Sequence, residues 1–115
     1  MLARTLSHAL LTTLLWLGLG IGAAPAAELV VFTVTARDGL LLPDHLDVPV
    51  GSKLKLILKN EGRFPVEFEN LDLHIEKVLA PGATSFVVIH SLKPGSYRFV
   101  DEFHPETGHM LLIAK

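Results

Sequence analysis

Gly95-Ser-Tyr-Arg-Phe-Val-Asp-Glu-Phe-His-Pro-Glu-Thr-Gly-His-Met110 begins as a strand and ends as a loop. The two-residue period of an extended chain places Tyr97, Phe99, Asp101 and Phe103 on one face. Asp101 therefore leaves the apolar side of the strand where the loop opens. A carboxylate there must be hydrogen-bonded, paired or metal-bound, because an isolated buried charge is costly. Capping of the following turn would account for Asp101 alone. Its surroundings ask for more: Asp101 to Met110 packs three carboxylates, two imidazoles and a thioether into ten residues, with Pro105 and Gly108 shaping the turn. That density of donors points to a metal.

Outward from this stretch the same alternation continues. Leu29 to Thr35 is rich in β-branched residues, and Lys53-Leu-Lys-Leu-Ile-Leu-Lys59 puts three leucines on one face and lysines on the other. Phe64 to Glu69, Ile75 to Leu79, Thr84 to His90, Ser96 to Val100 and Met110 to Ala114 complete about seven expected strands. Turn chemistry separates them at Asp38-Gly39, Pro49-Val-Gly51, Asn60-Glu-Gly62, Pro81-Gly82 and Pro94-Gly95. Turns at this spacing, without a helical period, predict an all-β Greek-key sandwich with one core between two sheets.

The first residues read as a secretory signal: one cation at Arg4, an apolar run from Ala9 to Ala23, then Ala24-Pro25-Ala26 as the cleavage site. The competing reading is an uncleaved anchor, since the uncharged stretch from Ala9 to Ala27 is just long enough to span a bilayer. Cleavage after Ala26 leaves 89 of the 115 residues as one domain, 27–115. The expected location is the periplasm. A domain this small is marginal without a staple, and a chain with no cysteine has no disulfide to provide one. The mature chain carries nine Lys and Arg against twelve Asp and Glu, which excludes a nucleic-acid binder. Ser52, Ser85, Ser91 and Ser96 lie in no nucleophile elbow, and no H-E-x-x-H occurs, so hydrolase chemistry is disfavoured. His45, in a Pro43 to Pro49 loop, and His90, at a strand end, read as ordinary solvated residues.

A second donor group lies upstream. Glu67 and Glu69 flank Phe68 on one strand face, opposite Val66 and Phe68, and His74-Ile-Glu76-Lys77-Val78 can bring a further carboxylate to the same end. The plain alternative is the wet side of an edge strand.

Gly95, Tyr97, Phe99, His104 and Met110 resemble the G-x-Y-x-F-x-C-x-x-H ligand loop of a blue-copper protein, with Asp101 where the cysteine belongs. The whole mature domain resembles a narrower group, the cupredoxin-like components of bacterial ferrous-iron uptake systems, of the EfeO type. Val66-Glu-Phe-Glu69, Glu76-Lys-Val78 with Ala80-Pro-Gly82, Leu92-Lys-Pro-Gly95 and Asp101-Glu-Phe-His-Pro105 carry that resemblance. It implies acidic ligands in place of the blue-copper set, with Glu67 at the position of the first copper histidine. The metal candidates it implies are Glu67, Glu69, Glu76, Asp101, Glu102 and His104, with an iron or copper ion as cofactor. It further implies an iron permease and a periplasmic iron-binding protein as partners.

Ligand hardness narrows the metal. Without thiolate a blue centre is not available, whereas carboxylate and imidazole suit iron, manganese, zinc or non-blue Cu(II). Closely spaced carboxylates favour Fe(III) over Fe(II), because the larger charge offsets their repulsion. The expected function is periplasmic metal binding in support of ferrous-iron uptake. The alternatives are a small copper-dependent ferroxidase-like oxidoreductase and a metal-free interaction module.

Overall fold

The computed structural model describes residues 28–115, preceded by Gly18, Gly20 and Gly22; the expected signal cleavage after Ala26 and the alternative anchor lie outside the described residues. Nine strands follow in order: β1 (Leu29–Arg37), β2 (Leu40–Leu42), β3 (His45–Val48), β4 (Lys53–Asn60), β5 (Val66–Asn70), β6 (Ile75–Leu79), β7 (Thr84–Ile89), β8 (Gly95–Asp101) and β9 (His109–Ala114). They form a four-stranded sheet, β2-β1-β4-β7, and a five-stranded sheet, β3-β9-β8-β5-β6. We call these sheets A and B. The expected all-β sandwich is the observed fold, with nine strands among the described residues rather than about seven. The two extra strands are short: β2, and β3 within the expected Pro43 to Pro49 loop.

Alternation along each strand builds the interior. Leu54, Leu56 and Leu58 of β4 face Phe68 of β5, Phe99 of β8 and Leu112 of β9 across one apolar core. The rings of Phe68 and Phe99 stack at 4.7 Å with planes 14° apart. Asp38-Gly39 turns β1 into β2 with positive φ at both residues, 44° and 87°, and Arg37 directly opposite Leu40. This is the two-residue hairpin geometry that an Asp-Gly pair favours.

Two pairings are parallel, β1 with β4 and β3 with β9, so the chain passes between the sheets before it closes either. On the edge strand β6, Lys77 lies opposite Phe68 in register and so faces the interior from the rim. An inward-pointing charge at an edge discourages pairing with another chain.

Candidate metal centre

β8 ends at Asp101, which lies opposite Phe68 in register and shares the inner face with Phe99. Its side chain is 1% exposed, yet no buried polar side-chain atom among the described residues lacks a partner. Oδ1 accepts the backbone N–H of Glu67 at 3.1 Å and that of Phe103 at 3.1 Å. Oδ2 accepts from Nδ1 of His104 at 2.8 Å. The Phe103 bond caps the turn, as the simpler reading of Asp101 expected, while the other two join the turn to β5 and to the imidazole. An ionised carboxylate only accepts, so a neutral His104 carries its proton on Nδ1 and turns the lone pair of Nε2 to a ligand.

The backbone completes the hub. Asp101 N–H donates to the Gly108 carbonyl at 2.8 Å, and Gly108 N–H donates to the His104 carbonyl at 2.8 Å. A Cβ on Gly108 would come 2.7 Å from the Cβ of Asp101, so only glycine allows the loop to close over the carboxylate at this distance. Thr107 Oγ1 donates to the Gly39 carbonyl at 2.6 Å, fastening the loop to the β1–β2 hairpin of the other sheet. Phe64 flanks His104 with ring centroids 5.8 Å apart.

The glutamates occupy a different surface. Parity turns Glu67 and Glu69 of β5 outward, and Glu76 of β6 lies directly opposite Glu69. One carboxylate oxygen from each of Glu67, Glu69 and Glu76 can be chosen so that all three lie within 4.8 Å of one another. Loss of hydration pushes the Glu67 carboxyl above its usual value, and hydrogen bonding and charge from Glu76, then Glu69, push it the same way. Like charges directly opposite in a sheet are destabilising, and a cation between them reverses the sign.

Five of the six candidates therefore fall into two sets, and Glu102 stands apart from both. Glu67, Glu69 and Glu76 converge on the outer face of sheet B, while Asp101 and His104 pair beneath the loop. Glu67 touches both: its N–H reaches Asp101, its carbonyl accepts from Glu102 N–H at 2.9 Å, and its carboxylate joins the cluster. Glu102 is exposed and lines a shallow depression with Glu69, Asp72 and Arg98. Of the residues left outside the set, His109 takes Arg98 Nη2 on Nδ1 at 2.8 Å, and Met110 is buried opposite Phe99. Sequence reading missed Thr107 as a fastening point, since its partner carbonyl is 68 positions away.

The chain belongs to the Cupredoxin-like domain family, whose model matches residues 9–114. It is 34% identical over 80 residues to an uncharacterized protein of Rickettsia prowazekii (strain Madrid E), an alignment that covers 70% of this chain and 64% of that protein. Among solved structures it is similar to auracyanin A, a "blue" copper protein of Chloroflexus aurantiacus, with a TM-score of 0.64 at 10% identity over 76% of this chain and 100% of that one. It is also similar to the metal binding domain of the Cu(I)-exporting P-type ATPase CopA of Streptococcus pneumoniae D39, with a TM-score of 0.63 at 11% identity over 78% and 98% of the two chains. A purple cupredoxin of Nitrosopumilus maritimus aligns with a TM-score of 0.55 at 17% identity over 72% and 98%. These likenesses establish a cupredoxin-like fold.

The blue-copper ligand set does not fit this chain, which has no cysteine and places Met110 in the core opposite Phe99. Three clustered carboxylates do fit a hard cation.

Proposed function

We propose that this protein is a periplasmic metal-binding cupredoxin that takes iron, or copper as its redox partner, and supports ferrous-iron uptake. The observation that carries the reading is the convergence of Glu67, Glu69 and Glu76 within 4.8 Å. Three oxygen donors held by a rigid two-stranded pairing suit Fe(II) and, more strongly, Fe(III). The iron permease and iron-binding protein as partners rest on the E-F-E, E-K-V and D-E-F-H-P resemblance. Copper enters through the copper-binding relatives and through its place at the head of the affinity order for divalent metals. When bound, the ion supplies a redox-active or Lewis-acidic centre; the chain supplies the carboxylates that hold it and the loop that fixes His104.

Anaerobic titration with Fe(II), beside metal analysis of protein isolated from its own envelope, tests this. Glu67→Gln and Glu69→Gln should each weaken binding at least tenfold, and unchanged affinity in both would sink the assignment. Because a carboxylate cluster favours Fe(III), oxidation of bound Fe(II) is the second reading. Oxygen consumption with Fe(II), with and without copper, should then exceed that of buffer alone.

A further inference from the structure

The two outer faces of the sandwich carry opposite charge. Sheet B presents the glutamate cluster, whereas the outward positions of sheet A hold no carboxylate at all among the described residues. There Leu29, Val31 and Phe86 lie 47%, 50% and 52% exposed, interleaved with Lys53, Lys55 and Lys59. The strand registers set Lys53 beside Leu29, Lys55 beside Val31, and Ile57 between Thr33 and Phe86, so cations and apolar groups mix across one continuous surface. Lys55 lays its Nζ 4.6 Å from the Phe86 ring centroid. Among the described residues no carboxylate pairs with any of the three lysines; at the rim, Glu61 is held by Arg37 at 2.6 Å, and Glu28 precedes the first strand.

We propose that this face docks on a lipid bilayer bearing anionic headgroups. Lysines that keep their heads at the headgroups while their stems and neighbouring aliphatic and aromatic groups reach the acyl boundary match this pattern. A protein partner fits less well, because the cores of protein interfaces are depleted in lysine. A second copy offering its acidic sheet B would make a head-to-tail contact, which uses two different faces of each copy. A membrane takes the same face of every copy. The apolar run Ala9 to Ala23 ends six positions ahead of Leu29, a connection of about 20 Å when fully extended, which keeps the face near any bilayer that holds the run. Docked this way, the glutamate cluster points away from lipid into the aqueous space.

The absence of cysteine makes the test site-specific. Thr33→Cys and Ser96→Cys proteins of the mature chain, residues 27–115, which contains every described strand but not the apolar run, are labelled with an environment-sensitive fluorophore and report sheet A and sheet B respectively. Vesicles rich in phosphatidylglycerol should blue-shift the Thr33 label and leave the Ser96 label unchanged, and phosphatidylcholine vesicles should shift neither. Each lysine near an anionic surface is worth about fivefold, so Lys53→Gln, Lys55→Gln and Lys59→Gln together should lower the docked fraction ratio about 100-fold. High salt should act in the same direction. Equal shifts with both lipids, or none with phosphatidylglycerol, would overturn the proposal. So would a Thr33 shift that rises with protein concentration in the absence of vesicles, which would assign the face to a second copy.

Discussion

Oδ2 of Asp101 and Nδ1 of His104 stand 2.8 Å apart beneath the β8–β9 loop, with the carboxylate buried and the imidazole partly open to solvent. The carboxylate's other oxygen is shared by the N–H groups of Glu67 and Phe103. One side chain thus sets the loop, the start of β5 and the tautomer of the histidine.

Asp101→Ala leaves three donors without their acceptor. Each orphaned donor costs about 1–3 kcal/mol when buried, and allowing for partial access of water the total should be about 3 kcal/mol. Asp101→Asn keeps Oδ1 and should cost about 1 kcal/mol, with the proton of His104 moved to Nε2. Urea unfolding measures the energies, and imidazole ¹⁵N shifts report the tautomer. Equal stability of the two variants would remove the hub.

Gly108→Ala places a methyl 2.7 Å from the Cβ of Asp101 and 3.1 Å from the His104 carbonyl oxygen. Neither neighbour is the free end of a flexible side chain. The variant should lose about 2 kcal/mol, within the ordinary range for overpacking. The His104 ring resonances should shift with it.

Glu67 predicts a pH dependence. Its folded pKa is raised above the usual 4.5, so within the window between the two values the folded state holds a proton that the unfolded chain has released. Stability therefore falls as pH rises from 4.5 through the folded pKa, since the unfolded state binds fewer protons there. Metal-free protein should melt at a lower temperature above this window than within it, and Glu67→Gln should flatten that slope. A slope unchanged by the substitution would place its cause elsewhere.

Glu69→Lys replaces the like-charge pair across from Glu76 with an opposite-charge pair. Metal-free protein should gain thermal stability, because like charges directly opposite are unfavourable. Cation binding should be lost in the same variant. Movement of the two measurements in opposite directions marks a cluster kept for ligation at the expense of the fold.

Phe68→Ala removes half of the Phe68–Phe99 stack from the centre of the core. The cavity should cost about 4 kcal/mol. A loss below 1 kcal/mol would show that the interior collapses to fill it.

Alternation and turn residues made the long strands legible, because Leu54, Leu56 and Leu58 or Val66 and Phe68 declare their inner face within one segment. Leu40–Leu42 and His45–Val48 are too short to display a period, and β3 is fixed by a parallel partner in β9 that lies far along the chain. The donors were visible for the same reason, as dense runs around Glu67 and Asp101. Their division was not, since parity says that Glu67 points away from its strand's apolar face and Asp101 toward its own. Only the register of Phe68 against Asp101 sets these two faces back to back. Charge polarity was half visible: the lysine row of β4 stood out, but its neighbours Leu29, Val31 and Phe86 become neighbours only through pairing.

β9 lies inside sheet B, between β3 and β8. The strand completed latest among the described residues is thus the one that joins His45–Val48 to the rest of its sheet. No native sheet B can assemble until His109–Ala114 has been synthesised, and non-local pairing of this kind slows folding in any case. The five-stranded sheet is therefore completed only once this strand is made. Until then β3 has no partner within its sheet.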